Sequence, residues 1–253
     1  MKNKVKTENQ KALPKYLGIL CISIFAGYVL RLATNYFSHN YDKADLINMF
    51  HHGLIVASPI IVWVSLIAVA IIAYRLYHQA NVLFKNWDQE DEESIEIAEH
   101  KLDLALLFST INLCIACAFV APIFLILQQE TTTAIIQSIV LLVGFISSLA
   151  ISIFIHQKVV DLTCKINPEK KGSVYDMNFK KNWLKTCDEN EIAKIGSASF
   201  KAYSAMNIAS FIIWFILIVL YPIFDFGILP IFLVMVIILV GNMVYFMDAM
   251  KQR

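Results

Sequence analysis

The stretch TTAIIQSIVLLVGFISSLAISIFIH, residues Thr132–His156, runs for 25 residues without a single Asp, Glu, Lys or Arg. A transmembrane helix needs about 20 mainly apolar residues to cross about 30 Å of hydrocarbon, so this stretch is long enough to span a bilayer. Five more stretches of spanning length occur in the chain, at Tyr16–Phe37, Gly53–Tyr74, Leu104–Gln128, Tyr203–Phe224 and Ile228–Phe246. The pattern predicts an all-α polytopic integral membrane protein with six transmembrane helices.

The composition excludes an ordinary soluble domain. Apolar residues make up 58% of the 253 residues and charged residues 16%, whereas soluble domains contain about 45–50% and about 25%. The basic N-terminus resembles a signal peptide, but its apolar run continues to Phe37 with no small-residue cleavage site. We therefore expect a retained first span. Five cysteines, an odd number, indicate no disulfide framework.

The basic residues are confined to one side of the predicted membrane. Of the 21 Lys and Arg residues, 19 lie in the N-terminus, in residues 75–103, in residues 157–202 and in the C-terminus. Cytoplasmic loops of membrane proteins carry an excess of Lys and Arg. We therefore expect a multi-pass membrane protein with both termini in the cytoplasm, and two cytoplasmic loops: the first elbow, residues 75–103, and the second elbow, residues 157–202. Residues 1–253 are expected to form a single membrane domain.

The first elbow is acidic, with eight Asp and Glu residues between positions 88 and 103. Asp88 and Asp91 resemble a helix start, because acidic side chains are favourable in the first turn of a helix. We expect an amphipathic helix that begins near these residues and continues directly into the third span.

The second elbow is basic. A helix is predicted over Val174–Cys187, with Phe179, Trp183 and Cys187 on one side and three lysines on the other. These lysines, Lys180, Lys181 and Lys185, form what we call the lysine face. The helix has three possible roles: lying on the anionic inner leaflet, contacting the acidic first elbow, or docking a cytoplasmic protein.

A capping box is predicted at Asp188-x-x-Glu191, where it opens a helix into the fifth span. Both elbows also carry an Asn-Trp pair followed by an acidic pair, which indicates a distant repeat. Beside the lysine face, the candidate docking or interfacial residues are therefore Trp183, Asp188, Glu189, Trp87, Asp91 and Glu92.

Three histidines fall in the predicted outer loop, Ser38–His52. They are His39, His51 and His52, and imidazole groups near carboxylates can bind a borderline divalent metal or sense external pH. Their spacing matches no closed metal site, and the alternative is a polar loop at the headgroups.

Small residues recur at intervals of four along the fourth span, at Gly144, Ser148 and Ser152. Such a stripe allows another helix to approach closely. We expect packing within the chain, with a homodimer as the alternative.

The second elbow carries the resemblance to a known family. The stretch NPEKKGSVYD, Asn167–Asp176, followed by Phe179, Trp183 and Cys187-Asp188-Glu189, resembles the hallmark of the bacterial membrane family called domain of unknown function 3169. The six-span layout and the acidic first loop also resemble this family. The resemblance implies a low-GC Gram-positive bacterial source and therefore a bacterial cell membrane as the location. It implies no activity and no site residues.

No motif for an enzyme, a nucleotide or a cofactor is present. We therefore expect a non-enzymatic protein with no cofactor and no direct nucleic-acid binding. The leading hypothesis is a membrane anchor or regulator that docks a cytoplasmic partner, such as a transcription regulator or an ATPase, through the elbows. The alternative is a transport-related permease subunit or a self-protection protein against membrane-active peptides.

Overall fold

The computed structural model describes residues 42–88, 90–224 and 226–251, together with scattered positions between Pro14 and Tyr36. Within these ranges the chain is α-helical and contains no strand. Five helical segments are long and apolar enough to cross a membrane. Only scattered positions of the predicted first span, residues 16–37, are among the described residues.

The helices of the described ranges follow one another with short connections. In chain order they are α1 Lys43–Lys85, α2 Glu92–Val120, α3 Ile123–Leu127, α4 Thr132–Ile166, α5 Phe179–Leu184, α6 Glu189–Phe224 and α7 Leu229–Lys251.

The helices extend well beyond the predicted spans, so the predicted loops are shorter than expected. The outer loop predicted over Ser38–His52 is wrong from Lys43 onward, because α1 already begins there. Asp42 explains this start: its Oδ1 accepts a 2.9 Å hydrogen bond from the backbone N–H of Ala44, which satisfies a donor in the first turn. In the first elbow, only residues 86–91 lie between two helices.

The third predicted span is interrupted at Pro122. Helix α2 ends at Val120, and α3 begins at Ile123 and ends at Leu127. Proline lacks the N–H that would continue the helical hydrogen bonds, and its ring crowds the preceding turn. The two pieces together cover the predicted length.

The helix predicted over Val174–Cys187 is much shorter in the structure, because α5 covers only Phe179–Leu184. Asp176 explains the late start. Its backbone N–H donates to the carbonyl of Ser173, and its Oδ1 accepts a 2.9 Å hydrogen bond from the N–H of Asn178. Local side-chain hydrogen bonds of this kind compete with a helix, so the chain forms turns before Phe179.

The described chain separates into two compact units, one comprising residues 49–195 and the other the remainder. In the first unit, buried alanines and larger apolar residues of α1, α2 and α4 form a core around Ala73, Ala98, Leu102, Val159 and Leu162. Small side chains let helix backbones approach closely. Helices α2 and α4 therefore pack side by side.

The small-residue stripe of α4 is buried within this unit. A Cβ atom added to Gly144 would lie 3.0 Å from Trp63 Nε1 and from Val62 Cγ1 of α1. Ser152 Oγ donates to the backbone carbonyl of Ser109 of α2 at 3.3 Å. The stripe therefore faces helices of its own chain.

In the second unit, α6 and α7 share a polar contact. The hydroxyl of Tyr203 donates to Asn242 Oδ1 at 2.8 Å, and Asn242 Nδ2 donates to Asn207 Oδ1 at 3.4 Å. The rings of Tyr203 and Tyr245 stack with centroids 5.0 Å apart. Hydrogen bonds between helices of this kind stabilise helix pairs in apolar surroundings.

Candidate functional site: the second elbow and its cavity

The hallmark stretch of the second elbow folds back onto the end of α4 through one glutamine. Gln157 Oε1 accepts hydrogen bonds from the backbone N–H of Val174 at 3.0 Å and from Ser173 Oγ at 3.3 Å. A single side chain therefore anchors the middle of the stretch to the helix that precedes it.

Lys170 is the centre of the elbow. Its Nζ makes an ion pair with Glu191 of α6 and lies 5.5 Å from the centroid of the Trp183 ring. The side chains of Lys170 and Glu191 are only 14% and 31% exposed. Because partial burial limits screening by water, this pair contributes more than a fully exposed one. The hydrogen bond from Lys170 also lowers the pKa of Glu191, which lies in the first turn of α6, well before the apolar run that begins at Tyr203.

Gly172 is required by the close packing of the elbow. A Cβ atom at this position would lie 2.7 Å from Phe179 Cε2 and 3.3 Å from Trp183 Cε3. The rings of Phe179 and Trp183 pack against each other with centroids 5.4 Å apart. The glycine of the hallmark therefore makes room for its two aromatic residues.

The predicted capping box is present. Asp188 Oδ1 accepts from the N–H of Glu191 at 2.7 Å, and Glu191 Oε2 accepts from the N–H of Asp188 at 3.2 Å. Glu191 therefore has two roles, since its other oxygen takes the ion pair with Lys170. This sharing links the start of α6 to the hallmark stretch.

The first elbow uses a similar cap. Asp91 accepts from the N–H of Ser94 at 3.2 Å and from the Ser94 hydroxyl, which lowers the pKa of Asp91. The helix expected from Asp91 into the third span is confirmed as α2. The Asn-Trp pairs differ, because Trp183 lies in α5 whereas Trp87 follows the end of α1 and packs near Phe84.

The two elbows meet at Asn167 and Glu99. Asn167 Nδ2, just after α4, donates to Glu99 Oε1 of α2 at 2.8 Å. A cavity of about 790 Å³ opens beside this contact. We call it the elbow cavity; its walls come from α2, α4 and the second elbow, and it includes Glu99, Asp103, Leu106, His156, Lys170 and Trp183.

The predicted docking residues do not all gather at this cavity. Trp183 and Lys180 line it. The three lysines of the lysine face are exposed, as are Asp188, Glu189, Asp91 and Glu92, whereas Trp87 and Trp183 are half-buried. The acidic residues of the first elbow that do reach the cavity are Glu99 and Asp103. Sequence reasoning placed them in the acidic run but did not select them. Their spacing with Leu106 and Thr110, at intervals of three and four, was the available signal, since such positions share one helix face.

The histidines of the predicted outer loop are described only in part. His51 and His52 are adjacent residues of α1, and His39 lies outside the described residues. Among the positions that the structure describes, no group of three or more His, Cys, Asp and Glu side chains is arranged to hold a metal.

The comparisons with known proteins identify a family and nothing narrower. A family model described as "Protein of unknown function (DUF3169)" matches residues 10–249. The resemblance based on the hallmark stretch is thereby confirmed over nearly the whole chain. No curated protein and no solved structure matches.

Proposed function

Because the chain belongs to the family described as Protein of unknown function (DUF3169), whose description names no activity, we propose a function from the geometry of its second elbow. The protein is a six-span protein of a bacterial cell membrane, with both termini and both elbows in the cytoplasm. It is non-enzymatic, and it docks an acidic cytoplasmic protein on the lysine face.

Three observations support this topology. Five helical segments of spanning length are present, and residues 16–37 supply a sixth apolar stretch in the sequence. The Lys and Arg residues lie almost entirely in alternate connections. The contact between Asn167 and Glu99 joins the two elbows at one end of α2 and α4, which agrees with their lying on the same side of the membrane.

The topology is tested by cysteine labelling in intact cells. In a background without the native cysteines, Asn86→Cys and Lys171→Cys should react with a membrane-impermeant maleimide only after lysis. Gln129→Cys, in the short turn between α3 and α4, should react in intact cells. Labelling of position 86 or 171 from outside would overturn the arrangement.

The lysine face carries the docking proposal. Its three side chains are exposed and make no hydrogen bond or ion pair within the described ranges. Three apolar side chains beside them are also exposed: Tyr175 at 69%, Met177 at 100% and Leu184 at 42%. Positive charge steers an acidic partner and sets specificity, and apolar side chains at the centre of a contact supply affinity.

Trp183 favours a protein partner over the inner leaflet. A helix that lies on a membrane places its aromatic side chains toward the headgroups. Here the Trp183 ring is half-buried against Phe179, Gly172 and Lys170 inside the elbow. The ring therefore organises the elbow and leaves the lysine face to make the contact.

Docking is tested by cross-linking in native membranes followed by quantitative recovery of bound proteins. Lys181→Glu/Lys185→Glu reverses two charges of the lysine face; Lys180 is left unchanged because it lines the elbow cavity. We expect this variant to lose an acidic partner that the wild type retains. The matched control is Lys194→Glu/Lys201→Glu, which reverses two exposed lysines of α6 and should retain the partner. Equal recovery from all three proteins would contradict docking on the lysine face.

A further inference from the structure

The elbow cavity has the size of a small-molecule site. Its volume of about 790 Å³ lies within the range of about 300–1,000 Å³ that is typical of ligand pockets. Along α2 it extends from Glu99 to Thr110, eleven residues, which corresponds to about 16 Å of helix. The predicted third span begins at Leu104, so the cavity extends from the polar elbow into the apolar part of the helix.

The lining combines apolar side chains with a smaller number of charged ones. Leu102, Leu106 and Val160 form the wall at the helices, and Phe179 and Trp183 close it from the elbow. Apolar and aromatic walls with a few polar groups are typical of sites for small organic ligands. A ligand that fits this lining has an apolar body and a charged or polar end.

Negative charge predominates among the charged residues of the lining. The lining contains three carboxylates, Glu99, Asp103 and Asp176, and two lysines, Lys170 and Lys180. Lys170 is already paired with Glu191, which adds a fourth carboxylate and leaves two net negative charges. The remaining titratable group of the lining is His156, and imidazoles are mostly neutral at pH 7.

Two of these carboxylates are available to a ligand. Asp176 accepts from Asn182 Nδ2 and from the N–H of Asn178, and so serves the elbow itself. Glu99 accepts from Asn167 through one oxygen only. Asp103 makes no hydrogen bond within the described ranges and lies four residues after Glu99, on the same face of α2.

We propose that the elbow cavity binds a lipophilic organic cation. Its positive centre lies beside the carboxylates of Glu99 and Asp103, and its apolar body lies along Leu106 and the ring of Trp183. The carboxylates beside the cation are not part of the lysine face, and the docking variant leaves Lys180, the lysine that lines the cavity, unchanged. The proposal therefore does not depend on docking there.

An anionic ligand fits this site less well. The less exposed of the two lining lysines, Lys170, is held by Glu191, and an anion would have to displace that carboxylate. It would also lie beside Glu99 and Asp103, and like charges in a partly water-excluded site repel strongly.

The test uses two ions of matched shape and opposite charge, tetraphenylphosphonium and tetraphenylborate. The full-length protein is placed in lipid nanodiscs, and binding is measured by equilibrium dialysis with empty nanodiscs subtracted. We expect saturable binding of tetraphenylphosphonium and no saturable binding of tetraphenylborate. Glu99→Gln/Asp103→Asn should weaken binding of the cation by about tenfold or more, as expected when at least about 1.4 kcal/mol of charge attraction is lost.

The variants are chosen to preserve the fold. Glu99→Gln retains the oxygen that accepts from Asn167, and Asp103 makes no hydrogen bond that the substitution would break. The matched control is Glu93→Gln/Glu96→Gln, which removes two exposed carboxylates of α2 that do not line the cavity; it should bind like the wild type. Equal saturable binding of the two ions, or unchanged binding by the Glu99/Asp103 variant, would overturn the proposal. The outcome of the docking test does not affect the measured binding of the cation, so either proposal can be refuted without the other.

Discussion

Asn167, the residue that ends α4, donates a 2.8 Å hydrogen bond from its Nδ2 to the Glu99 carboxylate of α2 across 68 positions of sequence. The contact joins the hallmark stretch of the second elbow to the acidic face of the first. Glu99 also lines the elbow cavity, so the contact lies beside the cavity. The order of the second elbow therefore depends on a partner from the first.

We predict that Asn167→Ala loosens the second elbow. A part-buried hydrogen bond to a charged group is worth about 1.5–3 kcal/mol, and its loss should release the start of the hallmark stretch. Hydrogen exchange of residues 168–178 in nanodiscs should accelerate, while the interior of α7 is unaffected. Unchanged exchange in the hallmark stretch would show that Gln157 and Lys170 are sufficient to hold it.

The second prediction concerns Gly172. Gly172→Ala places a methyl group 2.7 Å from the Phe179 ring, so the ring must move, and overpacking of this kind costs about 1–3 kcal/mol. The expected result is a lower thermal stability of the elbow and altered Trp183 fluorescence. Gly196→Ala is the matched control, because its Cβ would meet nothing within 4 Å; as a glycine inside α6, it should be neutral or stabilising by up to about 1 kcal/mol.

The third prediction is a pH dependence of the Lys170–Glu191 pair. The hydrogen bond from Lys170 lowers the folded pKa of Glu191, whereas the unfolded value is about 4.3. The unfolded chain therefore takes up the proton first, and the stabilisation is fully present above the unfolded pKa. It is lost as the pH falls through the folded pKa.

Trp183 fluorescence reports this loss when the other three tryptophans are replaced by Phe. The wild-type elbow should become disordered on acidification below about pH 4, and Lys170→Met should abolish that component of the pH dependence. A transition in the same pH range of equal size in Lys170→Met would assign it to another carboxylate.

The fourth prediction concerns the pairing of α6 and α7. Tyr203→Phe removes the hydroxyl that donates to Asn242 and keeps the stacked ring, so only the hydrogen bond is lost. The expected cost is about 0.5–1.5 kcal/mol, measured as a lower unfolding midpoint in nanodiscs. Tyr221→Phe is the control, since Tyr221 contacts Phe226 through its ring, which the substitution keeps. Equal midpoints for Tyr203→Phe and the wild type would show that the ring stack alone holds the pair.

Local features of the sequence were sufficient for the class of the fold. Apolar runs of spanning length predicted five of the helical segments, because a helix satisfies its own backbone and each run reports on itself. The caps at Asp91 and Asp188 were also predictable, since each involves residues three positions apart. The break between α2 and α3 at Pro122 was predictable for the same reason, because proline itself lacks the N–H that would continue the helix.

The candidate site depended on contacts that no local pattern contains. Glu99 looked like one of eight similar acids, and only the approach of α4 brings Asn167 to it and opens a cavity beside Asp103. The spacing of Trp183 in the sequence suggested a surface anchor. In the structure, its ring packs against Gly172 and Lys170, which lie about twelve positions earlier in the chain.

The sequence by itself determined that this chain is a helical membrane protein and which connections carry its charge, because hydrophobicity and charge act residue by residue. Tertiary structure decided which charged side chains are paired within the fold and which are exposed to solvent. Lys170, Lys181 and Lys185 are residues of the same type in the same elbow. Lys170 is held between Glu191 and Trp183, whereas Lys181 and Lys185 are exposed to solvent. That difference arises from packing between segments distant in sequence, which also brings carboxylates of the first elbow into the cavity that Lys170 and Trp183 line.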